Sequence, residues 1–362
     1  MIFEFFQQAI EAEASDVHLK PDQPPVYRLE GKLYKADCAP IQEADLWTLI
    51  DKITPPKLRE RFDHDQQVDF AWNFQDAMRF RVNLFSSGGQ PTVAFRYVKA
   101  AVQTFADLNL PPILETIAAN RRGIILLGGT TGCGKSTTLA AMIQSINSKE
   151  FRRIITIEDP IEYIFDDRKS MISQREVGFD TPDFKTGLKN ALRQDPDVVM
   201  IGEMRDRDSV ETAMAAAETG HLIFSTVHTD DAATSVTRIM DMFPQDERSQ
   251  IRSAMATTLK AMICQRLVPD LDGLQRPAME IMLDAPIIKK LIRDGQVDRL
   301  SAAIKSGNED GMMSFNQYLY EMVQRTEISE ETALAYATNV EEMKMILKGI
   351  FLEKGSRIVG AG

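Results

Sequence analysis

The stretch Ile124–Thr138 reads IILLGGTTGCGKSTT. An apolar run of strand length feeds a glycine-rich turn, and Lys135, Ser136 and Thr137 then open a helical segment. From Gly129 to Ser136 the residues fit G-x-x-x-x-G-K-[ST], with the strand before and the helix after that this motif requires. The chemistry is anion binding. Gly129, Thr130, Thr131, Gly132, Cys133 and Gly134 let backbone N–H groups crowd around phosphate oxygens, and the helix N-terminus adds partial positive charge. Lys135 reaches the outer phosphates, Ser136 is placed to ligate Mg²⁺, and Thr137 continues the cradle. Cys133 reads as a small loop filler. The expected ligand is a nucleoside triphosphate, ATP with Mg²⁺.

Working outward, the residues after Pro111-Pro112 alternate strand and helix patterns, which predicts an α/β domain on a parallel, helix-covered sheet. Ile154–Ile157 is an expected strand, as are DPDVVMIGE and HLIFSTVH. Phe184, Leu188 and Leu192 sit at helical spacing, and a further helix is expected to be capped by Asp208 and stopped by Gly220. Ile251, Ala254, Met255, Thr258, Leu259, Met262 and Ile263 read as one long amphipathic stripe, packing core or a subunit contact. Amphipathic helices follow Pro286, and the chain ends in a polar tail.

Carboxyl ends of parallel strands border the ligand crevice, so the acidic and histidine clusters there are site candidates. Glu158, Asp159 and Glu162 lie in one short segment, and Glu203 ends a Walker-B-like strand where an Asp is commoner. Hydrolysis needs a carboxylate to orient the attacking water and others to hold Mg²⁺ directly or through water, the latter suiting Glu203. His221 and His228 bracket the next strand, and a neutral imidazole there can sense a phosphate or orient Glu203. A third metal ligand is not evident, and no zinc site is expected.

The 362 residues favour two domains. Residues 1–98 read as a smaller α+β unit, 99–111 as a linker and 112–362 as the nucleotide-binding domain. The first unit starts with a short helix bearing Phe5, Phe6 and Ile10, places a second helix over Ala44–Ile53, and closes with a hairpin of Arg79–Phe85 and Thr92–Val98. Alternation puts Phe80, Val82 and Leu84 on one face with Val93, Phe95 and Tyr97. Arg81 and Arg96 then share the other face, as either a solvated basic surface or a functional pair.

The net charge of −11 opposes nucleic acid as a partner. Cys38, Cys133 and Cys264 form no close pair, and the acidic start MIFEFFQQAIEAEASD is unlike an export signal. A cytoplasmic protein is expected.

The blocks GGTTGCGKSTT, ITIEDPIEY, LRQDPDVVMIGEMRD and TGHLIFSTVHTDDA, in this order, closely resemble the Walker A, Asp, Walker B and His boxes of the secretion-type ATPases. Within them the likeness is to the PilT/PilU type of type IV pilus retraction ATPase, and ASDVHL with the RFRVN…AFRYV hairpin resembles that family's N-terminal PAS-like domain. The resemblance implies a homohexameric ring of PAS-like and RecA-like domains with nucleotide between them. It also implies a place at the inner face of the inner membrane, a membrane platform protein as partner, and possible pairing with a paralogous retraction ATPase. By position, Glu162, Glu203 and His228 match catalytic residues of that family, His221 the other His-box residue, and Arg81 and Arg96 arginines that approach the phosphates. Assembly and type II secretion relatives carry an extra N-terminal domain and usually a four-cysteine zinc module, absent from this sequence, so retraction is the leading expectation. The family's AIRNLIR-like segment is met only partly, by Ile288–Arg293, and GMMSFNQYLYEMV is closer to a PilU-like accessory motor. Principal and accessory roles, an assembly or secretion motor, and a nucleotide-gated adaptor stay open at this level.

Overall fold

A computed structural model describes residues 2–29, 31–74, 78–98 and 102–350, and the expected polar tail falls outside them beyond Ile350. The chain divides into two compact units, Met1–Ala101 with Glu162–Phe165, and Val102–Ile161 with Asp166–Gly362.

The first unit runs α1 (Ile2–Glu11), β1 (Asp16–Leu19), β2 (Val26–Leu29), β3 (Lys32–Lys35), α2 (Glu43–Ile53), α3 (Pro56–Asp65), β4 (Gln67–Phe74), β5 (Met78–Ser87) and β6 (Gln90–Val98). Its strands form an antiparallel sheet in the order β3-β2-β1-β6-β5-β4. Phe6 of α1 is fully buried against the sheet, its ring 4.7 Å from Phe95, 5.1 Å from Trp72 and 5.3 Å from Phe80 between centroids. The hairpin puts its residues on the expected faces, in a register where Phe80 faces Tyr97, Val82 faces Phe95, Leu84 faces Val93, and Arg81 lies directly opposite Arg96. α3 was not expected, because its sequence PKLRERFDHD is nearly all charged. Only Leu58 and Phe62, one turn apart, are buried, and the polar face carries Arg59–Asp63 and Arg61–Asp65 pairs at i,i+4.

The second unit opens with α4 (Ile113–Ala118), β7 (Gly123–Gly128), α5 (Lys135–Lys149), β8 (Arg153–Glu158), β9 (Met171–Glu176), α6 (Phe184–Ala191), β10 (Val198–Ile201), α7 (Arg207–Glu218) and β11 (Leu222–Val227). It continues through α8 (Ala232–Asp241), α9 (Arg248–Thr258), β12 (Leu259–Pro269), β13 (Gln275–Leu283), α10 (Pro286–Arg293), α11 (Leu300–Ser306), α12 (Phe315–Gln324), α13 (Glu330–Tyr336) and α14 (Val340–Leu347). The sheet order is β13-β12-β7-β11-β10-β8-β9, parallel except for β13 at its edge. Every residue of β7, β10 and β11 is buried, as continuous apolar strands covered on both faces must be.

Two expectations need correction. The stripe from Ile251 to Ile263 is not one helix: α9 ends at Thr258, and Leu259 turns the chain into β12. Helical spacing continued by chance into a buried apolar run, and the open edge of β7 decided its conformation, pairing Leu259 with Ile124 and Cys264 with Gly128. α7 is capped by Asp206, not Asp208: the Asp206 side chain accepts from Ser209 N at 2.9 Å, while Asp208 pairs with Lys185. A cap must precede the first helical residue, so the position before Arg207 takes the role. Residues 99–101 of the expected linker lie outside the described residues, but Phe105 and Leu110 are buried, and the segment from Val102 packs as part of the second unit.

Candidate functional site

The phosphate loop leaves the end of β7 and enters α5. Gly129 has φ +142°, and a Cβ there would lie 2.5 Å from both Cys133 Sγ and the Gln265 carbonyl oxygen. Gly134 caps α5 in the left-handed region at φ +85°, a conformation that L side chains avoid. The sequence spends glycine where a side chain would close the cradle or strain its backbone. Lys135 is buried to 7 % exposure, and its ammonium donates to Gly129 O at 2.7 Å and Thr130 O at 2.8 Å, so it lies across the loop's own mouth. Ser136 is exposed on the first turn of α5, with Thr130, Thr131 and Gly132 exposed on the loop. These donors fit a polyphosphate with a divalent cation beside Ser136.

Of the carboxylate candidates, Glu158 and Glu203 lie at the carboxyl ends of β8 and β10. Glu203 follows β10 with its side chain 11 % exposed, held between Arg205 Nη2 at 2.5 Å from Oε1 and His228 Nε2 at 3.3 Å from Oε2. His228 follows β11, so two neighbouring parallel strands bring imidazole and carboxylate together. Glu158 ends β8, buried, accepting from Thr156 Oγ1 at 2.6 Å and Gln174 Nε2 at 3.1 Å. Asp159 and Glu162 are exposed on the segment after β8, and Glu162 falls in the first unit. Between them, Ile161 N donates to Glu176 Oε2 at 3.3 Å.

His221 is placed differently from the expected cluster. It precedes β11, its carbonyl accepts from Gly123 N at the start of β7, and its Nδ1 lies 2.9 Å from Ala216 O. In parallel strands that is the amino end, opposite the crevice. A strand between two histidines separates them by its own length, which bracketing in sequence conceals. Arg81 and Arg96 stand side by side on the first unit's sheet. Arg81 Nε is 3.7 Å from Asp69 Oδ1, and Arg96 Nε donates to Asp16 Oδ1 at 2.9 Å while the Arg96 side chain stays 67 % exposed.

Two contributors went unread in the sequence. Arg205 is the ion-pair partner of Glu203, and no pattern distinguishes it from neighbouring surface arginines. Gln265 lies under the loop from β12, in a segment whose periodicity suggested helix. Nearby, Glu280 of β13 is 6 % exposed and accepts from Ala232 N at 2.8 Å; burial raises its carboxyl pKa. Burial likewise pushes the Cys264 thiol well up, making it an inert packing group. Among the described residues no group of three or more His, Cys, Asp and Glu could hold a metal ion, and no helix is long and apolar enough to cross a membrane.

Comparison with known proteins agrees with this geometry. Residues 1–348 match the family described as Type II/IV secretion system protein. The chain is 38 % identical over 320 residues to the type IV pilus retraction ATPase PilT of Pseudomonas aeruginosa, covering 88 % of this chain and 93 % of PilT. It is 37 % identical over 340 residues to the type IV pilus ATPase PilU of the same organism, covering 94 % and 89 %. The crystal structure of the pilus retraction motor PilT with bound ADP superposes with a TM-score of 0.88 at 38 % identity, over 95 % of this chain and 98 % of that one. Loop, strand-end carboxylates and overall likeness converge: the chain is an ATPase and belongs to the type II/IV secretion system protein family.

Proposed function

We infer that this protein is an ATP-hydrolysing motor that powers type IV pilus retraction, acting as a hexamer at the inner face of the bacterial inner membrane. The observation that carries the reading is the glycine cradle closed by Lys135, with the Glu203–His228 pair on adjacent strands of the same sheet. Residues Gly129–Thr137 would hold the triphosphate, and Ser136, with Glu203 through water, the Mg²⁺, which when bound would neutralise charge on the phosphates. Glu203 would orient the attacking water, with His228 fixing its carboxylate. Glu158, Asp159 and Glu162 are proposed as further acidic groups of the reaction, and His221 as a nucleotide-responsive residue. Arg81 and Arg96, from the PAS-like unit, are proposed phosphate contacts whose guanidinium charge would stabilise the developing negative charge.

A membrane platform protein is proposed as partner on the likeness to the retraction ATPase PilT. Deleting the gene and counting surface fibres tests the direction of work. Excess fibres with lost twitching are expected, and fibre loss would instead make this an assembly motor. The PilU likeness favours a second role, an accessory motor acting with a paralogous retraction ATPase. Purified turnover separates the two, since a principal motor hydrolyses ATP unaided and an accessory one needs its paralogue.

A further inference from the structure

Strand β12 outruns its neighbour. β7 ends at Gly128, paired with Cys264, and the chain then leaves the sheet as the phosphate loop, while β12 runs on to Pro269. Gln265 is therefore the first β12 residue with no ladder partner on β7. Its side chain is 2 % exposed, and both ends of its amide are engaged in the loop and its helix. Nε2 donates to Cys133 O at 2.6 Å, and Oε1 accepts from Thr138 Oγ1 at 2.7 Å. Its carbonyl oxygen lies where a Cβ on Gly129 would strike it, and its side-chain Nε2 would lie 2.9 Å from a Cβ on Gly134.

We propose that Gln265 is the positioning residue of the phosphate loop, fixing the peptide between Cys133 and Gly134 so that the Gly134 amide presents its N–H to the phosphates. The argument is one of valence and reach. A peptide that offers its carbonyl to a donor below points its N–H the opposite way, into the loop's concavity. A carboxamide supplies a donor for Cys133 O and an acceptor for Thr138 Oγ1 from one terminus, which an ionised carboxylate cannot. Asparagine is one methylene shorter, and glutamate presents a lone pair to the Cys133 carbonyl where a proton is needed. The next residue holds the strand still: the Arg266 guanidinium lies 4.0 Å over the Phe315 ring and donates to Tyr336 O at 3.2 Å. The loop is thus referenced to a strand anchored in the C-terminal helices, and not only to β7 and α5.

This proposal rests on the loop being a nucleotide phosphate site, and the experiment separates the two. Q265E, T138V and Lys135→Ala are compared with the wild type for ADP and adenosine binding by calorimetry and for steady-state ATP hydrolysis. Q265E is expected to weaken ADP and raise KM for Mg-ATP about tenfold, with kcat changed less than about threefold and adenosine affinity unmoved. Lowering the pH from about 8.5 to about 6 protonates the introduced buried carboxyl, restores a donor and recovers much of the lost ADP affinity relative to wild type. T138V, which keeps shape and removes one partner of the amide, moves ADP affinity the same way by a smaller factor and serves if Q265E does not fold. ADP affinity within twofold of wild type in the folded variants, while Lys135→Ala abolishes it, overturns the role of Gln265. ADP affinity untouched by Lys135→Ala overturns the site itself.

Discussion

Glu203 is gripped from both sides, by Arg205 and by His228, and that grip defines what each substitution should do. Glu203→Gln keeps the side chain's shape and removes the carboxylate proposed to orient the attacking water. It should leave ADP binding within about twofold and lower kcat by about a hundredfold or more. Equal loss of binding and turnover would show that Glu203 serves the ligand and not the reaction. His228→Ala removes a partner without removing the carboxylate, so a smaller loss of kcat, about tenfold, is expected in steady-state assays. At this scale the sequence was informative where chemistry restricts residue type. Glycines in a motif, a lysine and acidic strand ends are readable because little else does their work. Arg205 and Gln265 were not, because arginine after an acidic residue and glutamine in an apolar run have many ordinary uses.

The elements carry their own tests. Asp206 caps α7, so Asp206→Ala should destabilise the protein by about 1 kcal/mol in denaturant unfolding. Asp208→Ala loses only an exposed ion pair with Lys185, and should cost less. The reverse order would restore Asp208 as the cap. β13 holds the buried Glu280, whose carboxyl is raised by burial above the ordinary carboxylate range. Between the ordinary value and the raised one, the unfolded chain loses its proton and the folded chain keeps it. Stability contributed by this group therefore falls as pH rises through that window, starting just above the usual glutamate pKa. Glu280→Gln keeps an acceptor for Ala232 N and has no proton to lose, so melting curves across the window should show a shallower decline than wild type. A steeper decline would contradict the assignment. Strands β7, β8, β10 and β11 were legible as apolar runs between turns, and β12 was not. Its residues satisfy helical spacing, and only the vacant edge of β7, a fact of three dimensions, makes them a strand. α3 escaped for the opposite reason, since two buried residues leave almost no periodic signal.

For the whole molecule, two compact units and membership of an ATPase family stand beside the proposed motor role. The fold class was readable from alternating strands and helices, and the antiparallel edge strand β13 was the detail that pattern left out. Placement of His221 at the amino end of β11 likewise required the sheet to be built. A ring predicts light-scattering mass near six times the chain's 40.7 kDa with ATP and Mg²⁺ present, and a monomer under those conditions would remove the ring from the account. Hydrolysis of a triphosphate by this chain should depend on the grip of the Lys135 ammonium. That dependence is tested most directly by phosphate release from Mg-ATP by the purified protein and its Lys135→Ala variant, each supplied with the paralogous motor where one exists. Clear turnover is expected from the wild type, with a loss of about a hundredfold or more in the variant's own contribution. Undiminished turnover by Lys135→Ala would contradict that dependence.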